Sequence, residues 1–249
     1  MQTLVIIPTY NERENIEALL TQVFQQQADI HVLVVDDNSP DRTFELVQQL
    51  AHMQYPDKLH LLKRPGKLGL GTAYVEGFRW ALSHNYDYVV QMDADFSHNP
   101  VYLPDFLREI GTSDVVLGSR YIPGGGVRGW GLLRQLISKG GNIYARTILG
   151  LPFRDLTGGY KCFRRDVLQA IGLDEIHAKG YAFQIETTYR AVSKGFTITE
   201  IPIIFEDRIR GKSQFSFDIF LEAMAIVWRL RRRVGGQKKS ATTADNRRV

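Results

Sequence analysis

Asp93-Ala94-Asp95 sets two carboxylates on alternate positions directly behind an apolar run, residues 88–92. Just past a buried strand, one carboxylate can face a cleft while its neighbour supports or shares a ligand. Carboxylate oxygens with open coordination positions suit Mg²⁺ or Mn²⁺, ions that keep some waters and bridge to substrate phosphates. An acid-x-acid triplet alone is common in turns, and it is the strand ahead of this one that gives it weight. Asp36-Asp37 closes a second apolar run, residues 31–35. One of the two can cap the helix that starts behind Ser39-Pro40; both cannot, which leaves the other to accept hydrogen bonds from a base or ribose. Arg120, Arg134 and Arg208 stand in segments rich in glycine or serine, where a planar guanidinium suits phosphate. Glu186 sits in an apolar helical pattern and is either a satisfied half-buried acid or a cleft acid. His98, behind the triplet, is a turn residue or a helper to a metal. Gly69-Leu70-Gly71 invites a dinucleotide fingerprint, but Tyr74 occupies its sixth position and residues 64–68 ahead of it read as loop, so that reading is rejected.

These groups need elements to position them. Over the first 120 residues short apolar runs (3–7, 31–35, 59–62, 88–92, 115–117) alternate with helical stripes such as Ile16, Leu19, Leu20, Val23 and Phe24 behind Asn11, a candidate N-cap. Runs apolar on both faces, separated by amphipathic helices, imply an α/β fold with a mostly parallel sheet covered on two sides. Ligands of such sheets bind beyond the carboxyl ends of the strands, and those ends here collect Asp36, Asp37, Asp93, Asp95 and Arg120 on one edge. Later, Gly124-Gly125-Gly126 predicts a mobile loop, 132–149 and 183–194 read as helices, and 197–205 reads as a strand whose Pro202 asks for an edge or bulge. The pattern divides into a catalytic domain at 1–213, an amphipathic helix at 214–233 and a basic disordered tail at 234–249.

Composition narrows the classes. With 249 residues, 44% hydrophobic and 23% charged, the chain suits one ordinary domain rather than a disordered or disulfide-stapled one. The single cysteine, Cys162, forms no internal disulfide and favours a reducing, cytoplasmic setting. The apolar run 4–7 ends at Pro8 with no basic segment ahead of it, unlike a secretory signal. The most apolar late stretch, 219–228, contains Glu222 and runs into Arg229, so it can lie on a bilayer without crossing it. Net charge is +4, but residues 229–249 alone carry +7 and leave the rest at −3. The basicity belongs to a tail, and without interleaved aromatic residues it does not indicate a nucleic-acid partner.

The segments VIIPTYNE (5–12), VVDDNSPD (34–41), KLGLGTA (67–73), MDADFSH (92–98), GSRY (118–121), DLTGGY (155–160), FQIE (183–186) and FEDR (205–208) resemble, in order, the family-2 glycosyltransferases of GT-A fold. Within that family the similarity is to the polyprenol monophosphomannose synthases, also called dolichol-phosphate mannosyltransferases. The resemblance implies inverting, metal-dependent transfer of mannose from GDP-mannose to a polyprenyl phosphate. It implies that Pro8, Tyr10, Glu12 and Asp37 hold the nucleoside and that Ala94 lies against the substrate. Asp93 and Asp95 would hold Mg²⁺ or Mn²⁺ and the donor, and Arg120, Arg134 and Arg208 the phosphates; Asp93, Asp95, Arg120 and Arg208 would be the catalytic set. The family's lysine after the serine in the segment following Arg208 is replaced by Gln214, which leaves Lys212 as the stand-in. A phosphate nucleophile is already an anion near neutral pH, which agrees with the lack of a Ser-His-Asp set. A UDP-glucose-dependent transferase to the same lipid and a non-catalytic nucleotide-sugar-binding scaffold share the fold. With its insoluble acceptor, the protein is expected on the cytoplasmic face of a membrane. It would be held there by an interfacial helix (Phe215, Phe217, Phe220, Met224, Val227, Trp228) with its basic flank, or by a separate membrane subunit.

Overall fold

The computed structural model describes residues 1–26, 29–176, 178, 180, 182–207 and 224–232. Its centre is a seven-stranded sheet in the order β3-β2-β1-β4-β7-β5-β8. These strands are β1 (Thr3–Thr9), β2 (Ile30–Asp36), β3 (Leu59–Lys63), β4 (Tyr88–Gln91), β5 (Val115–Ser119), β7 (Lys161–Arg164) and β8 (Ile198–Pro202). β1 explains the apolar runs: Leu4 to Ile7 have no exposed surface, because alternate side chains enter two different cores. Leu4 and Ile6 pack with Leu33, Val35 and α3 (Leu70–Ser83). Val5 and Ile7 pack with Val32, Val34, α1 (Arg13–Gln26), α2 (Thr43–Met53) and α4 (Leu103–Glu109). α3 approaches β1 so closely that a Cβ on Gly77 would lie 2.8 Å from Cγ2 of Ile6.

Three features depart from the sequence reading. β7 runs antiparallel between β4 and β5, in the middle of an otherwise parallel sheet. Its four residues, Lys161-Cys162-Phe163-Arg164, begin and end with cations and leave no continuous apolar run to read. The single strand expected at 197–205 is two: β8 lies at the sheet edge beside β5, and β9 (Ile204–Glu206) pairs with β6 (Gly126–Arg128) in a second sheet. The chain changes sheets at Ile203, directly after Pro202. Asn11 does not cap α1. It turns the chain in the left-handed region (φ 62°), and the amides of Asn11, Glu12 and Arg13 donate to Ser39 Oγ, Thr43 Oγ1 and Asp41 Oδ2 of the neighbouring loop. That arrangement ties the β1–α1 and β2–α2 loops together.

α5 (Leu132–Leu149), α6 (Arg165–Ala170) and α7 (Ala182–Ser193) complete the described helices up to residue 207. Residues 224–232 are helical, with Ile226, Val227 and Leu230 buried in the same core as α3 and α7. Val227, read from sequence as an interfacial residue, is therefore a core residue of the domain, whereas Trp228, Arg229, Arg231 and Arg232 are exposed. Residues 215–223 and the tail from 233 onward lie outside the described residues. No helix of the described residues is long and apolar enough to cross a membrane.

Candidate active site

β1, β2, β4 and β5 are mutually parallel, so their carboxyl ends share one edge of the sheet. Strand order turns at β1 and β4, the switch point where open sheets form a crevice. The two acidic pairs lie there and divide their work differently.

Asp36 is fully buried and holds the turn behind β2. Its Oδ2 accepts from the hydroxyls of Thr9 (2.8 Å) and Ser39 (2.6 Å), and its Oδ1 from the Ser39 amide (2.9 Å). It caps no helix. Asp37 donates its amide to the Thr9 carbonyl, and its Oδ1 lies 2.7 Å from Nη1 of Arg64. Burial raises the Asp37 pKa, and the Arg64 guanidinium and the Leu68 amide oppose the rise without cancelling it. Arg64 is itself buried and also reaches Glu76 Oε1 (3.2 Å) and Thr72 Oγ1 (2.6 Å), so one guanidinium joins the β2 loop to the first turns of α3. Arg64 belongs to the stretch 64–68 that reads as loop in the sequence, and nothing in its local pattern marks it. Beside this pair Tyr10 presents an exposed ring, with Lys67 Nζ 4.5 Å from its centroid. Pro8 is half-buried at the end of β1, and Glu12 Oε2 accepts from Asn15 Nδ2.

Behind β4, Asp93 Oδ1 accepts from the Tyr74 hydroxyl at 2.9 Å. Burial first, and the Asp93 and Asp95 carboxylates next, push the Tyr74 phenol well above its ordinary pKa and keep it a donor. Tyr74 belongs to the helix stripe read as core; its ring is core, and only its hydroxyl reaches the site. The Asp93 amide donates to Nδ1 of His98 (2.9 Å), which puts the ring proton of this buried imidazole on Nε2. Stacked on Tyr160, His98 fixes the triplet's backbone, and its Nδ1 lone pair is occupied. Asp95 is buried, its Oδ1 accepting from the Ser97 amide (3.1 Å) and hydroxyl (2.6 Å); Ala94 between the two acids is buried. Among the described residues no group of three or more His, Cys, Asp or Glu side chains could hold a metal. Two hard carboxylates fit Mg²⁺ or Mn²⁺ sharing its remaining positions with water and phosphate oxygens.

On the β5 side, Arg120 makes a buried bidentate pair with Asp155, Nε to Oδ2 at 2.7 Å and Nη2 to Oδ1 at 2.8 Å. Nη2 also reaches Thr157 Oγ1. Burial alone would raise the Asp155 pKa, but the Arg120 guanidinium and the amides of Arg120 and Gly158 outweigh it and hold the carboxyl low. Arg134 pairs with Asp207 (2.8 Å) and stacks on Trp130 at 4.1 Å; Arg120 lies 5.5 Å from the same ring. The structure thus brings Arg120 and Arg134 together around one indole. Glu186 takes the satisfied reading, accepting from the Ala178 amide and from Arg190. Arg208 and Lys212 lie outside the described residues. Asp155, part of a quoted motif without an assigned role, is the anchor of Arg120.

Residues 4–172 match the sequence model of the family described as glycosyl transferase family 2. The chain is 45% identical over 236 residues to a protein named polyprenol monophosphomannose synthase from Mycolicibacterium smegmatis, covering 94% of this chain and 89% of that one. It is 44% identical over 229 residues to an undecaprenyl-phosphate mannosyltransferase from Micrococcus luteus, covering 92% and 93%. Its fold is similar to the crystal structure of glucosyl-3-phosphoglycerate synthase from Mycobacterium tuberculosis, solved with Mn²⁺, UDP and glucosyl-3-phosphoglycerate. The TM-score is 0.66 at 18% identity, over 94% of this chain and 80% of that one. At that identity the likeness is one of fold, a GT-A-like α/β sheet.

Proposed function

Because the chain belongs to glycosyl transferase family 2, we propose that it transfers mannose from GDP-mannose to the phosphate of a polyprenyl phosphate, with inversion at the anomeric carbon. What carries the reading is the placement of Asp37, Asp93, Asp95 and Arg120 behind parallel strands at one edge of the sheet, with Arg134 of α5 on the same Trp130 ring as Arg120, in a chain so similar to a polyprenol monophosphomannose synthase.

In this reading a phosphate oxygen of the acceptor attacks the anomeric carbon, the bond from that carbon to the diphosphate oxygen breaks, and GDP leaves with the bonding electrons. The nucleophile is already anionic near neutral pH and needs no base. Charge gathering on GDP is the obstacle. Asp93 and Asp95 would hold Mg²⁺ or Mn²⁺, which when bound offsets that charge. Asp37, held by Arg64, and the exposed ring of Tyr10 take the nucleoside with Pro8 and Glu12, and Ala94 lies against the donor. Arg134 and Arg208 hold phosphates, with Lys212 in the place of the missing lysine. Arg120, clamped by Asp155, sets a fixed positive edge beside Trp130. The acceptor requires a bilayer surface on the cytoplasmic side, reached through the basic tail or a separate membrane subunit.

A donor screen tests this reading: purified protein, Mg²⁺ or Mn²⁺, a detergent-dispersed short polyprenyl phosphate, and a panel of GDP- and UDP-sugars. Lipid-linked mannose from GDP-mannose is the expected product. Preferential transfer from UDP-glucose would move the chain to the glucosyl branch, and nucleotide binding without any transfer would make it a scaffold.

A further inference from the structure

Asp93 is fixed from two directions, by the Tyr74 hydroxyl on its Oδ1 and by Nδ1 of His98 accepting from its amide. Both of these groups are backed by the first turn of α7. The Phe183 ring, fully buried, stacks on Tyr74 with centroids 5.8 Å apart and planes 6° from parallel. Gln184 comes next in the chain, and its Nε2 and Cε1 of His98 border the same point: a Cβ on Gly159 would lie 3.5 Å from the first and 3.0 Å from the second. The start of α3 meets this turn as well, since a Cβ on Gly71 would stand 3.1 Å from Cβ of Phe183. Two consecutive residues of α7 thus stand behind the two groups that hold Asp93.

What holds that turn is a side chain from the sheet. Lys161 of β7 has no exposed surface, and its Nζ donates to the Gln184 carbonyl at 2.5 Å and to Thr188 Oγ1 at 2.9 Å. The hydroxyls of Thr187 and Thr188 donate to the same carbonyl. Across the antiparallel pairing Lys161 faces Gln91, two residues ahead of Asp93. Gln91 is fully buried, and neither of its amide atoms has a hydrogen-bond partner among the described residues; Gln184 Oε1 is a third such atom. A buried ammonium and buried amide atoms without partners cost stability. Replacing a buried charge by an apolar side chain of similar volume is commonly neutral or stabilising. The amine therefore contributes something other than stability, and its bonds show what that is: the position of one helical turn.

We propose that Lys161 is a positioning residue of the metal site: it pins the first turn of α7, and that turn, through Phe183 and Gln184, sets Tyr74 and His98 and so the direction in which Asp93 presents its carboxylate. This role rests on the reading in which Asp93 and Asp95 hold Mg²⁺ or Mn²⁺. Among the described residues the hydrogen bonds of Lys161 Nζ go to α7 alone, so the amine acts through the turn and not on the ion.

The test compares the full chain with Lys161→Met, with Thr188→Val, and with the control Ser193→Ala, which removes a hydroxyl bond from the last turn of the same helix. Mn²⁺ binding in the presence of GDP is read from the electron paramagnetic resonance of the free ion. GDP binding without metal is read by calorimetry in EDTA, and stability by thermal denaturation. Lys161→Met should bind Mn²⁺ about tenfold or more weakly, and Ser193→Ala within about twofold of the parent. Metal-free GDP binding by Lys161→Met should stay parent-like, and its melting temperature should match or exceed that of the parent. Thr188→Val, which takes away one of the two acceptors of Lys161, should weaken Mn²⁺ binding in the same direction, and it decides the matter if Lys161→Met does not fold. Parent-like Mn²⁺ binding in a folded Lys161→Met, or equal losses of Mn²⁺ and metal-free GDP binding, would overturn the positioning role. A parent that binds no Mn²⁺ beside GDP would remove the metal site and the positioning role with it, a failure visible without any variant. Mn²⁺ bound by the parent and weakened in Lys161→Met, with no mannose transferred by either, would support the positioning role and fail the transfer reading alone.

Discussion

Asp95 supports the turn behind β4 through an acceptor oxygen, since the Ser97 amide and hydroxyl both donate to Oδ1. Asn keeps that acceptor. Asp95→Asn is therefore expected to melt within a few degrees of the parent while metal-dependent turnover falls about a hundredfold or more, as measured by thermal denaturation and by turnover at sub-saturating Mg²⁺. Tyr74→Phe removes a single hydrogen bond to Asp93 and leaves the buried ring in place. Metal affinity, read from the Mg²⁺ dependence of turnover, should weaken about tenfold with little change in melting. The acidic triplet was legible in the sequence because a strand of apolar character delivers it to an edge. Tyr74 and Arg64 were not, because what makes them part of the site is where a hydroxyl and a guanidinium point once α3 has docked on β1. The roles of Asp36 and Asp37 were half legible: one was expected to be structural, but its work is to brace a turn against Thr9 and Ser39 and not to cap α2.

Among the elements, β7 carries the least expected residue. Lys161 is fully buried, its Nζ donating to the Gln184 carbonyl and to Thr188 Oγ1, and burial lowers its pKa to about 7 despite the opposing pull of Asp155. In the unfolded chain a lysine titrates near 10.4, roughly three units higher. Between those values the unfolded state binds more protons, so stability rises with pH from about 7 to about 10; below 7 both states are protonated and the dependence ends. Lys161→Met should abolish that slope, which urea midpoints taken between about pH 6.5 and 10 would show. A persisting slope in the variant would assign it to other groups. A buried lysine is also why β7 was invisible beforehand: composition rules place lysine outside, and the strand has only Cys162 and Phe163 as apolar residues. The helices at 132–149 and 183–194 were read almost to the residue because stripes long enough to show a period are local. The break at Ile203 was not, since it reflects which sheet each half of the segment meets.

For the molecule as a whole, the alternation of strands and helices gave the fold class, and the split between a net acidic body and a basic tail gave the idea of a charged anchor. The packing of Leu230 and the hydrogen bond from Arg231 to the Ile148 carbonyl define where that tail can be cut. Removing residues 234–249 is expected to leave melting and transfer to a detergent-dispersed acceptor unchanged while salt-sensitive binding to anionic vesicles weakens. Cutting at 229 removes Leu230 and should cost about 2–5 kcal/mol of stability in denaturant titration. The position of β7 has one more result, and it concerns how the chain is made. A nascent chain growing from its N-terminus can pair β1, β2, β3 and β4 by residue 91, but the strand ladder reaches β5 and β8 only through residues 161–164. Until those residues emerge, the outer edge of β4 is an open ladder on which a second nascent chain can add a strand. Refolding yield should accordingly drop as protein concentration rises, and the aggregates should form through a strand edge that the finished molecule never exposes.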